Sequence, residues 1–277
     1  MTRRDSTRLY HFFPSNYVSN TKGNQKTMVC AVETYEKPKL SNPVLIEGLP
    51  GIGFVANIAT LHLIHELKAK RFAEIHSSSF QDLAIATETG GARYPMNELY
   101  YCKNPNGGRD LIIWYGNTQA LTTSGQYELC GKILDTAEKL GSRFLITLGG
   151  FRQEEVKTPP QVYCAATDTE TLNQVLALGT KIMVGQIFGI AGLLVGLGKI
   201  RGFRGFSLLV DTLGIHPDAN ATRAALTILG KFLNMSIDQS RVNLAAEETK
   251  KTLESFGLIR SVSEEKKKEG QQLRWFI

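Results

Sequence analysis

The stretch of sequence that decides the fold class is Val44-Leu45-Ile46-Glu47-Gly48-Leu49-Pro50-Gly51-Ile52-Gly53. It opens with a short apolar run that ends at Gly48, and an apolar segment follows from Ile52 to Leu67. The short run predicts a buried strand, whereas Ile52–Leu67 is long enough for a helix that is apolar nearly all round. A strand, a glycine turn and a buried helix in this order indicate an α/β protein.

The same alternation of strand-like and helix-like segments continues along the chain. Leu145-Ile146-Thr147-Leu148 lacks a polar–apolar alternation, so we expect it to be buried on both faces, as in a parallel or mixed sheet covered by helices. We therefore predict a three-layer α/β sandwich with a mixed, mostly parallel sheet. Its strands are predicted at 29–32, 44–46, 72–75, 98–102, 110–115, 143–148, 161–166 and 206–211. Its helices are predicted at 52–67, 124–140, 169–178, 190–197, 220–233 and 237–256, with a polar loop at 81–93.

The chain divides into one large segment and two polar ends. Residues 1–27 are polar, basic and aperiodic, and we interpret them as a disordered extension that precedes a candidate start at Met28. No linker composition occurs before residue 257, so residues 28–256 are predicted to form a single α/β domain. Residues 257–277 begin with a charged, glycine-interrupted segment and are predicted to be a flexible tail.

The basic isoelectric point of about 9.1 comes from the two ends of the chain. Residues 1–28 hold five basic residues and one acidic residue, and residues 257–277 hold five basic and three acidic residues. The net charge of +6 is thereby accounted for, and the segment between them is neutral. Because nucleic-acid binding relies on a field of Lys and Arg, no nucleic-acid partner is expected.

The apolar and thiol residues indicate a soluble protein in a reducing compartment. The four cysteines are scattered without a CxxC pair, which favours unpaired thiols and a cytoplasmic location. The longest uncharged stretch, Ile182–Gly198, falls short of a membrane span and holds five glycines. Its GxxxG spacings would suit packed membrane helices, but with no second span to support that alternative, no membrane partner is expected.

The glycine turn permits two interpretations. Gly51-x-Gly53-x-x-Ala56 follows a strand, opens a helix and precedes Glu74 by about twenty residues, which resembles a dinucleotide-binding fingerprint. The turn is longer than the fingerprint, however, and contains a proline. The alternative, which we favour, is a structural glycine loop that lets the helix pack close to the sheet. That loop comprises Gly48, Pro50, Gly51 and Gly53.

Other polar side chains form weaker candidate sites. His62 and His65 have a spacing that metal ligands can use, with His76 nearby in sequence, but core or surface roles are more common. A Ser-His-Asp triad can be written from Ser124, Asp135 and His216, although no GxSxG elbow places the serine. Helix capping is the simpler explanation for the acidic residues Asp168, Glu170, Asp211 and Asp218. A surface loop is the simpler explanation for the basic-aromatic group Lys199, Arg201, Phe203, Arg204 and Phe206. No catalytic residue, cofactor or metal is therefore predicted.

The C-terminus ends in three large apolar residues, Trp275, Phe276 and Ile277. They follow the charged segment Glu264–Glu269 and lie beyond the last predicted helix. One interpretation is that they fold back as a short strand. The other is that they are a tethered ligand, whose side chains enter a partner's pocket while the terminal carboxylate meets a cation or backbone amides.

Several motifs together resemble the proteasome assembly chaperone family, in the branch typified by chaperone 2 and its archaeal homologues. The resemblance runs in order and at family-like spacing from about Val29 to Phe256. The motifs that carry it are Asn42–Gly53, Asn97–Tyr101, Leu148-Gly149-Gly150, Phe188–Leu194 and Leu208–Gly214.

The resemblance implies a non-enzymatic protein with a fold like that of the purine nucleoside phosphorylases. It implies binding to proteasome core α subunits and self-association into a homo-oligomer, because members bind proteasome subunits and archaeal ones form homo-oligomers. Proteasome-binding tails often end in hydrophobic–tyrosine–any residue and dock between α-ring subunits. Here Trp275 takes the hydrophobic position, Ile277 the last one, and Phe276 replaces the tyrosine. The competing hypothesis is a nucleotide- or nucleoside-binding enzyme that uses the loop Gly48–Gly53.

Overall fold

A computed structural model describes residues 30–86, 90–104 and 107–255. The predicted extension 1–27, Met28 and the predicted tail 257–277 lie outside the described residues. Eleven strands were found in the described part: β1 Cys30–Thr34, β2 Val44–Gly48, β3 Lys70–Ser77, β4 Ile85–Ala86, β5 Ala92–Arg93, β6 Asn97–Cys102, β7 Leu111–Gly116, β8 Phe144–Arg152, β9 Val162–Ala166, β10 Lys181–Ile182 and β11 Arg204–Thr212.

Nine of these strands form one sheet in the order β1-β3-β6-β7-β2-β8-β11-β9-β10. The four central strands β7, β2, β8 and β11 run parallel to one another, and β9 and β10 at one edge form a parallel pair. The β1-β3-β6-β7 side and the β11-β9 pair are antiparallel. The sheet is therefore mixed, with four parallel and four antiparallel pairings.

The prediction of a mostly parallel sheet is wrong. In the described ranges no helix lies between β3, β6 and β7, and strands joined without a crossover helix usually pair antiparallel. The predicted strands at 98–102 and 110–115 are observed as β6 and β7, which pair antiparallel in a register that joins Cys102 to Leu111. The likeness to the phosphorylase fold remains a prediction.

Helices cover both faces of the sheet and make three layers. Their bounds are α1 Val55–Glu66, α2 Thr123–Lys139, α3 Thr169–Leu176, α4 Gly189–Ile200, α5 Ala219–Leu233 and α6 Val242–Ser255. One face of the sheet packs against α1, α5 and α6, and its core includes Val44, Ile46, Leu229 and Leu253. The other face packs against α2 and α4, and its core includes Leu45, Trp114, Leu134 and Leu194. Within the described ranges, no helix has the length and apolarity that crossing a bilayer requires.

Three predicted elements differ from those observed. The predicted helix 52–67 is divided: Ile52–Phe54 form a 3-10 turn, and Phe54 is left-handed (φ 52°) before α1 begins. The predicted helix 237–256 begins only at Val242. From the sequence, Val242, Ala246, Thr249, Leu253 and Phe256 are expected on one stripe of this helix; the first four are buried, and Phe256 lies outside the described residues. The predicted loop 81–93 contains the short strands β4 and β5.

Candidate functional site

The glycine loop lies at the carboxyl ends of the central parallel strands, where open α/β sheets usually bind ligands. Its own backbone occupies this position. The carbonyl oxygen of Ile52 lies so close to the end of β8 that a Cβ at Gly150 would be 2.2 Å from it. The carbonyl oxygen of Gly53 accepts a hydrogen bond from the amide of Asp218, at the start of α5. The loop thus ties β2 to β8 and to the segment after β11.

Close packing accounts for glycine at two positions of the loop. A Cβ at Gly48 would lie 1.9 Å from Oγ1 of Thr60, whose helix α1 crosses β2 at this point. Gly53 is left-handed, with φ 61°, and a Cβ there would lie 2.7 Å from Oγ1 of Thr212. Neither position can take a larger residue unless its neighbour moves, because native interiors have no spare volume.

The packing argument does not extend to Gly51. Its φ of −158° is extended, and a Cβ there would meet no atom within 4 Å. Pro50 contributes its carbonyl oxygen, which accepts a hydrogen bond from the side-chain amide of Gln119. The structural loop predicted from sequence therefore contains one glycine, Gly51, for which the fold supplies no steric reason.

The geometry gives the dinucleotide interpretation no support. In the fingerprint a helix N-terminus faces the pyrophosphate directly after the glycine turn, whereas here a 3-10 turn and left-handed Phe54 precede α1. The acidic residue Glu74 belongs to β3, which β6 and β7 separate from β2. Its Oε1 pairs with Nη1 of Arg71 at 2.6 Å. Glu74 is thus part of a charge network on the antiparallel side of the sheet, away from the loop.

Glu47 is a buried carboxyl group next to the loop that sequence analysis did not single out. The residue is 2% exposed, and its Oε1 accepts a hydrogen bond from the amide of Leu49 at 2.8 Å. Burial raises the pKa of Glu47 to about 8, although the amides of Leu49 and Leu148 partly oppose that shift. Glu47 is thus largely neutral at pH 7. A charged residue at the end of an otherwise apolar strand was the available sequence signal.

Glu47 begins a row of buried polar side chains beneath α4. The register places it beside Thr147 of β8, which in turn lies beside Ser207 of β11. The hydroxyl of Thr147 donates to the carbonyl oxygen of Ala191 in α4 at 2.9 Å. Among the described residues, Oε2 of Glu47 and Oγ of Ser207 have no hydrogen-bond partner. The row joins the sheet to α4 through one side-chain hydrogen bond.

The structure keeps the candidate catalytic and metal-binding residues apart. Ser124 and Asp135 lie on the same helix, α2, and their eleven-residue spacing corresponds to about 16 Å along the axis. Asp135 is bound to Arg201 at 2.7 Å. Buried His62 contacts the carbonyl oxygen of Asp238 at 2.7 Å. No group of three or more His, Cys, Asp or Glu side chains suited to a metal ion occurs in the described ranges.

The capping interpretation is confirmed for two of the four acidic residues. The carboxylates of Asp168 and Asp218 accept hydrogen bonds from the amides of Thr171 and Ala221 and so cap α3 and α5. Asp211 lies inside β11 instead and is 7% exposed. Its Oδ2 accepts a hydrogen bond from the hydroxyl of Tyr163 at 3.4 Å. Glu170 lies in the first turn of α3.

The prediction of a basic-aromatic surface loop at 199–206 is wrong. Phe203 and Phe206 are buried in the two cores. Arg201 forms ion pairs with Asp135 and Glu138, and Arg204 with Asp168 and Glu170. Lys199 remains exposed at the end of α4. Arg201 and Arg204 therefore neutralise acidic neighbours within the chain.

Exposed apolar side chains are the remaining candidates for partner binding. Around α4, Phe188 is 80% and Ile200 is 82% exposed, and Tyr127 of the adjacent α2 is 52% exposed. Ile52, Leu213 and Ile215 lie near the carboxyl ends of β2 and β11, and all three are exposed. The predicted partner-binding residues Trp275, Phe276 and Ile277 lie outside the described residues.

Comparisons with known proteins identify one family. The PAC2 family model matches residues 45–256. An uncharacterized protein of Methanocaldococcus jannaschii is 32% identical over 219 residues, which are 78% of this chain and 84% of that protein.

Two solved structures are similar to this chain over most of its length. The crystal structure of Pyrococcus furiosus PbaB, described as an archaeal proteasome activator, is similar with a TM-score of 0.74 and 37% identity. The match covers 83% of this chain and 99% of PbaB. Pyrococcus furiosus PbaA, described as an archaeal homologue of proteasome-assembly chaperone, shares the fold with a TM-score of 0.67 at 24% identity. That match covers 81% of this chain and 94% of PbaA.

Proposed function

Because the chain belongs to the PAC2 family, we propose that it is a non-enzymatic assembly chaperone or adaptor that binds the proteasome core. The observation that carries the proposal is the likeness to PbaB, which extends over nearly the whole of that proteasome activator. The loop supports a non-catalytic role, because contacts inside the fold account for glycine at Gly48 and Gly53 without a ligand.

The proposed contact with the proteasome is the C-terminal triplet Trp275-Phe276-Ile277, docked between α subunits of the core. Residues 257–274 are rich in charged and polar side chains and include Gly270, a composition suited to a tether. Each aromatic side chain contributes on the order of 1–3 kcal/mol if its pocket excludes water. In a homo-oligomer several such tails act together, so that weak single contacts add through effective concentration.

The test is the affinity for a purified proteasome core particle with and without residues 275–277. Deletion of the triplet should weaken binding by at least tenfold and leave the melting temperature unchanged. Phe276→Tyr should preserve or strengthen binding because it restores the hydroxyl of the tyrosine-containing motif, and Phe276→Ala should weaken it. Unchanged affinity after deletion would contradict docking through the tail. A lower melting temperature would indicate that the triplet packs on its own domain.

A further inference from the structure

The outer face of α4 is an apolar surface without a cover among the described residues. Ile190 and Leu194 point into the core, whereas Phe188 and Ile200 at the two ends of the helix are 80% and 82% exposed. Between them runs a shallow groove shared with α2, to which Tyr127 contributes. Among the residues that the structure describes, no Asp, Glu, Lys or Arg lines this groove. Its chemistry therefore suits an apolar partner surface and gives no basis for recognising a charged one.

Glycines in α4 provide a second, independent observation. A Cβ at Gly192 would lie 2.0 Å from the carbonyl oxygen of Ile187, and one at Gly198 would lie 2.4 Å from Cδ2 of Leu145. The fold of one chain thus explains both. Gly196 differs, because it is exposed and a Cβ there would meet no atom within 4 Å. Glycine within a helix is destabilising relative to alanine, so Gly196 weakens α4, and no contact with another described residue compensates for this.

The spacing of these residues is symmetric about Leu194. Gly192 and Gly196 lie two positions before and after it, and Phe188 and Ile200 lie six positions before and after it. At 3.6 residues per turn, positions 192 and 196 lie about 160° around the helix from Leu194, on the outer side. A two-fold axis level with Leu194 therefore places the open position at Gly196 of one copy opposite Gly192 of the other, which Ile187 covers, and places Phe188 opposite Ile200. Self-complementarity of this kind is the requirement of an isologous interface.

The exposed area agrees with an interface between two copies. Six apolar side chains line the groove, and together they offer roughly 500 Å² of surface. A standard interface buries about 800 Å² on each partner. The groove supplies more than half of that area, and exposed Val184 in the segment before α4 extends the same end of the surface.

We propose that a second copy of this chain docks on the α4 groove, with the two α4 helices antiparallel about a two-fold axis level with Leu194. Ile187, which covers Gly192 in one copy, then lies against Gly196 of the other, where no side chain fills the space, and Phe188 packs against Ile200. This inference rests on the proposed function in so far as that function includes a homo-oligomer. It adds the surface through which two copies associate. The helices at 220–255 do not offer a comparable one, since their apolar faces are buried against α1 and the sheet.

The first test measures the mass of the full-length chain by light scattering and sedimentation over a concentration series, without proteasome. Gly196→Ala should weaken self-association at least tenfold, because a methyl group separates the two helices. The matched control is Gly131→Ala in α2, where a Cβ likewise meets no atom within 4 Å, and it should leave association unchanged. If Gly196→Ala raises the melting temperature and leaves the mass unchanged, the proposal is wrong.

The second test uses charge. Phe188→Glu should give a folded monomer at micromolar concentration, because symmetric docking buries two carboxylates for each substitution. The control Leu244→Glu alters a side chain of α6 that is 64% exposed on the opposite face of the sheet, and it should keep the wild-type mass. An unchanged mass for Phe188→Glu overturns the proposal. Loss of association on deletion of residues 256–277 overturns it as well, since the tail would then be the occupant. Neither result depends on proteasome binding.

Discussion

At the scale of single residues, the glycine loop divides into positions that need glycine and one that does not. Gly48→Ala and Gly53→Ala should each lower the free energy of unfolding by about 1–3 kcal/mol, since the first overpacks Thr60 and the second strains a left-handed backbone beside Thr212. Gly51→Ala should change it by less than about 0.5 kcal/mol. Chemical denaturation of the three variants measures this.

The same variants test the competing nucleotide-binding hypothesis. Thermal shift with nucleosides, phosphate, NAD and NADP should show no stabilisation of the wild-type chain, because a 3-10 turn and left-handed Phe54 separate the glycine turn from the N-terminus of α1. Nucleotide binding that Gly51→Ala abolishes without loss of stability would contradict the structural interpretation of the loop.

Glu47 should make stability depend on pH. Its pKa is raised in the folded chain to about 8, so the folded state holds the proton more tightly than the unfolded state does. The resulting stabilisation is complete below the unfolded pKa of about 4.3 and is lost as the pH rises through about 8. The free energy of unfolding of wild type minus that of Glu47→Gln should therefore fall between these values, by up to about 1.4 kcal/mol per pH unit.

Denaturation of both chains between pH 5 and pH 9 measures the difference. Glutamine keeps the oxygen that accepts from the amide of Leu49 and cannot ionise, so it is the matched control. Burial, and to a smaller extent the negative charge of Glu47, also raises the pKa of the Cys130 thiol in α2. Parallel pH profiles for the two chains would show that Glu47 ionises without cost and would contradict the prediction.

At the scale of elements, the antiparallel side of the sheet carries a row of like charges. The register places Glu33, Glu74 and Glu98 side by side on β1, β3 and β6. Like charges directly opposite each other on neighbouring strands are destabilising. Nη1 of Arg71 lies 2.6 Å from a carboxylate oxygen of both Glu74 and Glu98, and the hydroxyl of Tyr100 donates to Glu98 at 2.8 Å.

Arg71→Met should therefore lower the free energy of unfolding by about 1–3 kcal/mol, because two largely buried carboxylates lose their shared cation. Adding Glu98→Gln should restore part of the loss. Arg143→Met is the matched control: Arg143 also makes a 2.6 Å ion pair, with Glu138, but its side chain is 63% exposed, and exposed pairs contribute little. Equal losses for Arg71→Met and Arg143→Met would show that the carboxylate row is not what Arg71 stabilises.

At the scale of the whole molecule, self-association and tail docking should be coupled. Two tails on one dimer raise the effective concentration of the second tail at the α-ring. Phe188→Glu should thus weaken the apparent affinity for an immobilised proteasome core by roughly ten- to a hundredfold, whereas Leu244→Glu should not. A tail peptide in solution should bind the core equally whichever variant it is taken from. If the monomeric Phe188→Glu variant and the dimeric wild-type chain bind the core with equal apparent affinity, binding to the proteasome does not depend on self-association.

Local patterns in the sequence determined the elements and the family. The buried run Val44–Gly48, the apolar helix that follows it and the non-alternating strand around Leu145 are signals of burial on one or both faces, and burial sets hydrophobic periodicity directly. The motifs that resemble the chaperone family lie within the same elements. The three-layer arrangement followed from them because helices must cover a sheet that is apolar on both faces.

Only the tertiary structure decided which strands run parallel and which glycines are required. Gly53 meets Thr212, and Gly150 meets the carbonyl of Ile52, across some hundred residues or more of chain. Gly51 and Gly53 belong to the same glycine-rich motif, and the sequence does not distinguish between them. Only Gly53 has a neighbouring side chain, that of Thr212, that excludes a Cβ. Hydrophobic periodicity reflects which side chains are exposed to solvent and which are buried. Steric fit depends instead on which atom, distant along the chain, lies beside a residue, and only the topology of the fold brings such atoms together.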